Sequence, residues 1–109
     1  MTSKKTAKTP ASKKRAALPL ASDYTKQFRK DWKALNESGR YDMTRLRETM
    51  LLLIANTGPL PPEYLDHDLT GQWTGHRECH IGGDFLLIYV RNSENVVFTR
   101  TGTHAELFE

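Results

Sequence analysis

Residues 75–102 alternate between three strand-length runs and two turn signals, and this rhythm constrains the fold more than any other feature. The runs are GHRECHI (75–81), FLLIYVR (85–91) and NVVFTRTG (95–102). Each has strand length, and the second and third are rich in β-branched and aromatic residues. Gly82-Gly83 and Asn92-Ser93-Glu94 separate them as tight turns. The middle run is almost continuously apolar, as a strand covered on both faces must be. Short links join strands antiparallel, so the three runs form a meander.

Upstream the period is helical. Tyr24, Phe28, Trp32 and Leu35 recur on one face of a helix expected from about Asp23 to Asn36, with Ser22 as its N-cap. Lys26, Arg29, Lys30 and Lys33 fill the other face. A second helix is expected after Asp42 as N-cap. It carries Met43, Leu46, Met50, Leu53 and Ile54 and stops at Asn56-Thr57-Gly58-Pro59. The short Ser38-Gly39-Arg40 link makes the two an antiparallel hairpin. These stripes, with Tyr24, Trp32 and Trp73, read as core packing. RAALPLA (15–21) reads as a short strand, and Pro19 confines it to a sheet edge. The expected class is α+β, with a helical hairpin packed on one face of a small, mainly antiparallel sheet.

Charge divides the chain. Residues 1–20 hold six basic side chains and no acid, whereas residues 21–109 hold ten basic and thirteen acidic ones. Residues 1–14 are low in apolar content and rich in like charge, and read as a disordered basic tail before one domain at 15–109. Such a tail suits phosphate contacts or simple solubilisation. The single cysteine, Cys79, excludes an internal disulfide and fits a reducing, cytoplasmic compartment. No apolar run reaches the 18 or so residues of a membrane span.

Chemistry concentrates after the helices. His67, His76, His80 and His104 all lie there, and histidine titrates nearest neutral pH. No metal is expected. His76 and His80 stand four apart, about 13 Å along a strand, too far to share one ion. Strand alternation places Arg77, Cys79 and Ile81 on one face and His76, Glu78 and His80 on the other, with Cys79 toward the core. A three-residue loop at 82–84 would set His80 opposite Leu86. A five-residue loop at 91–95 would set Leu86 opposite Arg100. Together they gather His80, Leu86 and Arg100 on one face, and this longer first loop is the expected arrangement. A two-residue Gly-Gly turn would separate His80 from Arg100.

The stretch LDHDLTGQWTGHRECHIGGDFLLIYVRNSENVVFTRTGTHAELF (65–108) resembles the signature half of the YafQ-type toxins of the RelE superfamily. It carries, in order, H-x-L-x-G-x-W-x-G-x-R-E-C-H-I, D-(W/F)-L-L-I-Y and R-T-G-(T/S)-H-x-x-L-F. Several linked motifs in sequence make a specific signal. The resemblance implies a type II toxin that cuts messenger RNA in the ribosomal A site without a metal or cofactor. It also implies a cognate antitoxin partner, through which alone operator DNA would be met. By motif position the implied catalytic residues are His67, His80, Asp84, Arg100 and His104, with Phe85 and Phe108 as base-stacking aromatics. Phe85 stands where tryptophan is frequent.

Metal-free RNA cleavage requires a 2′-hydroxyl to lose its proton, a 5′-oxygen to gain one, and phosphorane charge to be balanced. His104 is the expected partner in one proton transfer, with Asp84, His80 or His67 in the other. Arg100 suits the developing phosphate charge. Bland readings stand beside these. Asp84 could cap turn amides, Phe108 could plug a hydrophobic gap, and Arg77 and Glu78 could form structural cross-strand pairs. The rival function is a non-catalytic RNA- or ribosome-binding module, or an antitoxin-partnered co-repressor, of the same fold.

Overall fold

The computed structural model describes residues 18–109. A short strand β1 (Ala21–Tyr24) leads into helices α1 (Lys26–Ser38) and α2 (Met43–Ala55). Strands β2 (His67–Asp68), β3 (Arg77–Gly82), β4 (Phe85–Arg91) and β5 (Asn95–Thr103) follow, and helix α3 (His104–Phe108) closes the chain. The five strands form one sheet in the order β1-β5-β4-β3-β2. The pairing of β1 with β5 is parallel and the other three are antiparallel. The α+β class and the helical hairpin follow as expected.

Two boundaries differ from the sequence reading. Helix α1 starts after Thr25, not at Asp23, because Ala21–Tyr24 is drawn into extended pairing with Asn95–Phe98. Tertiary ladder bonds override local helix propensity here. The edge strand therefore falls later than RAALPLA, and Tyr24 is exposed on it rather than in the core. Residues 15–17 of that segment and the basic tail 1–14 lie outside the described residues.

Thr25 supplies the helix cap, its hydroxyl accepting from the Phe28 N–H at 2.9 Å. Asp42 caps α2 through the Arg45 N–H, and Asn56 ends it in the left-handed conformation. Both α2 signals were legible in sequence.

The main core lies between the hairpin and one sheet face. Phe28, Leu35, Met43, Leu46 and Leu53 from the helices meet Cys79, Ile81, Phe85, Leu87, Tyr89, Val96 and Phe98. Cys79 is fully buried, as strand parity predicted. On the opposite sheet face a smaller cluster of Leu86, Ile88 and Leu107 packs with Leu69, Trp73 and Phe108. That second face carries the chemistry.

Candidate functional site

Strand register lays the polar residues of the second face in two rows. In one, His67 opposes Glu78, Glu78 opposes Ile88, and Ile88 opposes Arg100. In the next, His80 opposes Leu86, which opposes Gly102. His67, His80 and Arg100 thus rise from three different strands on one side of the sheet.

The register reaches this result by a different route from the one expected. The first hairpin turns through only two residues, Gly83 and Asp84, with Gly82 opposite Phe85. A bulge at Ile81 then restores His80 to its place opposite Leu86. In the second hairpin, Asn92 accepts from the N–H groups of Glu94 and Asn95, each at 2.8 Å, and tightens the turn. Arg91 consequently pairs with Val96, one residue tighter than a loop at 91–95. Thr99 is bulged, adding a second one-residue shift. Arg100 therefore opposes Ile88, not Leu86. Because the two shifts sum to an even number, Arg100 still shares the face of His80.

Glu78 sits between the two strand histidines. Its Oε2 lies 3.3 Å from His67 Nε2 and 3.6 Å from His80 Nε2, and its side chain is only 9% exposed. His67 Nδ1 meets the Leu65 carbonyl at 2.6 Å, so both of its ring nitrogens face oxygen. The two imidazoles lie 6.4 Å apart between centroids. Glu78 and Arg77 have separate partners: Arg77 donates to Asp66 at 2.9 Å and Asp68 at 2.6 Å from the helix side. Hydrogen bonding to Asp66 raises the Arg77 pKa above its ordinary value, against an opposing effect of burial. The Tyr89 hydroxyl also donates to Asp66, and burial first, then this carboxylate, pushes the phenol pKa upward.

Helix α3 brings the chain end over the same face. Thr103 accepts from the Glu106 N–H at 3.3 Å while Glu106 accepts from the Thr103 N–H at 2.8 Å, a complete capping box. Strand β5 thus runs through Thr103 before the helix begins. His104 is exposed at the first helical position. Its N–H donates to Asp84 Oδ1 at 3.3 Å, so the hairpin carboxylate sits at the N-terminus of α3. Leu107 anchors the helix on Leu86 and Ile88.

Phe108 is half-buried, 4.9 Å from the His104 ring and 6.0 Å from Trp73. Trp73 in turn meets His76 edge-on at 5.2 Å. Phe85 is elsewhere. It is 5% exposed on the helix side and packs 5.1 Å from Tyr41. The expectation that Phe85 stacks a base is corrected, because one position along β4 separates it from the Leu86 face.

Sequence reading missed Asp31. It projects from α1 to Arg100, accepting from Nε at 2.8 Å and from Nη2 at 3.2 Å. This hydrogen bonding raises the Arg100 pKa, opposed in part by burial. One signal was available: Asp31 is the lone acid within the basic run KQFRKDWK. No group of three or more His, Cys, Asp or Glu able to hold a metal occurs among the described residues.

Residues 20–109 match the family described as the bacterial toxin of type II toxin–antitoxin systems, YafQ. The mRNA interferase toxin YafQ of Escherichia coli (strain K12) is 46% identical over 86 residues, covering 79% of this chain and 92% of that protein. The crystal structure of YafQ from E. coli strain BL21(DE3) superimposes with a TM-score of 0.77 at 43% identity, covering 83% of this chain and 99% of that one. YafQ in the E. coli DinJ–YafQ complex gives 0.75 at 44% identity, with the same coverage. The chain belongs to the YafQ family of bacterial toxins of type II toxin–antitoxin systems.

Proposed function

We propose that this protein is an endoribonuclease toxin that cleaves messenger RNA on the ribosome, in the A site, by general acid–base catalysis. The observation that carries this reading is the gathering of His67, His80, Arg100 and His104 on and over one sheet face, from three strands and a terminal helix. A relative bearing the name mRNA interferase supports it.

The chemistry fits the residues. The 2′-oxygen gives up its proton to a base and attacks phosphorus; the P–O5′ bond breaks, and an acid protonates the departing oxygen. His104 serves one transfer. The other falls to His67 or His80, or to Asp84, whose carboxylate also caps α3. Arg100 faces the charge that builds on the phosphoryl oxygens, and electrostatic help of this kind is among the larger catalytic effects. Phe108, flanked by His104 and Trp73, offers an aromatic edge for a base. No step requires a cofactor.

The partners in this reading are A-site mRNA on the small ribosomal subunit and a cognate antitoxin, with operator DNA reached only through that antitoxin. A toxin with this target acts in the cytoplasm. No described helix is long and apolar enough to cross a membrane. Induced expression of wild type, His104→Ala and the His104→Ala/Arg100→Ala double variant tests the reading. Growth arrest by the wild type that is lost in the variants supports it. Arrest that survives in the double variant supports the non-catalytic binding module instead.

A further inference from the structure

We propose that Asp31 is a positioning residue for the cleavage reaction, fixing the Arg100 guanidinium from outside the sheet. The inference rests on the ribonuclease reading above and names a residue outside the motif half of the chain.

Strand β1 covers the edge of β5 only as far as the pairing of Tyr24 with Phe98. Beyond it the exposed backbone of β5 would lack partners, and α1 supplies them. The Thr25 N–H donates to the Phe98 carbonyl at 3.0 Å, and the Thr25 hydroxyl to the Thr99 carbonyl at 2.7 Å. Two turns along α1, Asp31 Oδ2 accepts from the Thr101 N–H at 3.2 Å. The same oxygen accepts from Arg100 Nε at 2.8 Å, while Oδ1 takes Arg100 Nη2 at 3.2 Å and Gln27 Nε2 at 3.1 Å. One carboxylate therefore locks both the strand backbone and the arginine fork to a helix already capped on the neighbouring bulge.

The pair is shielded but not sealed. The Asp31 side chain is 10% exposed and that of Arg100 is 26% exposed. Asp31 engages Nε and one Nη2 hydrogen, leaving the remaining guanidinium N–H groups for a phosphate. A long arginine side chain otherwise spends its freedom among many rotamers. Fixing it before substrate arrives is what electrostatic preorganisation requires.

Single-turnover cleavage on mRNA-programmed ribosomes tests this with the full-length chain as wild type, Asp31→Asn, Arg100→Ala and the double variant. Asp31→Asn should lower the saturated rate roughly 10- to 100-fold, with the half-saturating ribosome concentration changed by less than about twofold. It should add nothing in the Arg100→Ala background. The Arg100 Nε–H proton should also give a slowly exchanging NMR signal in the wild type that Asp31→Asn loses. If Asp31→Asn does not fold, Asp31→Glu, which shifts the charge by one methylene, enters the same cycle. An unchanged rate, a surviving Nε–H signal, or a full Asp31 effect without Arg100 would overturn the positioning role. A wild type that cuts no mRNA overturns the ribonuclease reading itself.

Discussion

Phe98 and Arg100 stand two apart on one strand yet serve opposite faces of the sheet. Phe98 opposes Tyr89 in the helix-side core, and Arg100 opposes Ile88 on the other side. The unpaired Thr99 between them reverses the alternation. A regular strand would have forced a choice between filling the core and presenting the arginine. The bulge gives both, and its carbonyl is held by Thr25.

The two candidate stacking aromatics should separate cleanly. Phe85→Ala empties a core site, and a loss of about 3–5 kcal/mol is expected in chemical denaturation. Phe108→Ala removes a half-buried ring and should cost about 1–2 kcal/mol, but should lower cleavage more than Phe85→Tyr does. Equal stability losses for the two alanine variants would contradict the placement of Phe85.

Gly102 lies against the α3 cap. A Cβ added there would come within 2.8 Å of Glu106 Oε1, the atom that accepts from the Thr103 N–H. Gly102→Ala should break the capping box at a cost of about 1–2 kcal/mol in thermal unfolding and unseat His104. Adding Glu106→Ala relieves the clash without restoring the cap, so stability should recover only in part.

Alkaline pH should weaken the fold through two groups. Burial raises the Cys79 thiol above its ordinary 9.0 and the Tyr89 phenol above its ordinary 10.0. Both stay protonated in the folded chain where the unfolded chain has lost its protons. The unfolded state then binds fewer protons, so stability falls as pH rises above about 9 and is unaffected by these groups below it. Denaturant midpoints measured from pH 7 to 11 check the sign. For the same reason Cys79 should resist alkylation at pH 8 until denaturant is added, read by mass spectrometry.

Tyr89→Phe removes the hydroxyl that donates to Asp66 while Arg77 still holds that carboxylate. Unfolding in urea should show a loss of about 0.5–1.5 kcal/mol. Cleavage should be unchanged, because this network lies on the helix side of the sheet.

What could be read from sequence was whatever local patterning decides. The apolar run at 85–91, the Asp42 and Asn56 caps and the strand position of His80 fell where strand or helix period put them, whereas the short strand at His67 and the helix at His104 had no such signal. What escaped depended on partners far along the chain. Residues 21–24 became strand because β5 had a free edge, which no local pattern records. The bulges at Ile81 and Thr99 moved the register of Arg100 by an amount that loop length alone could not give. Asp31 lies 69 residues from Arg100, and the helix face around it read only as the basic row of Lys26, Arg29, Lys30 and Lys33. Phe85 was misplaced because its motif neighbours were read together, although alternation along β4 sends successive side chains to opposite faces.

The most direct measurement is the mapping of new RNA 5′ ends when purified protein is added to one defined messenger, either free or threaded through ribosomes with an open A site. Cuts are expected at A-site codons on the ribosome-bound message, with none on the free message and none with His104→Ala/Arg100→Ala. Equal cutting of free RNA would contradict the ribosome dependence. Cutting that persists in the double variant would contradict the site itself.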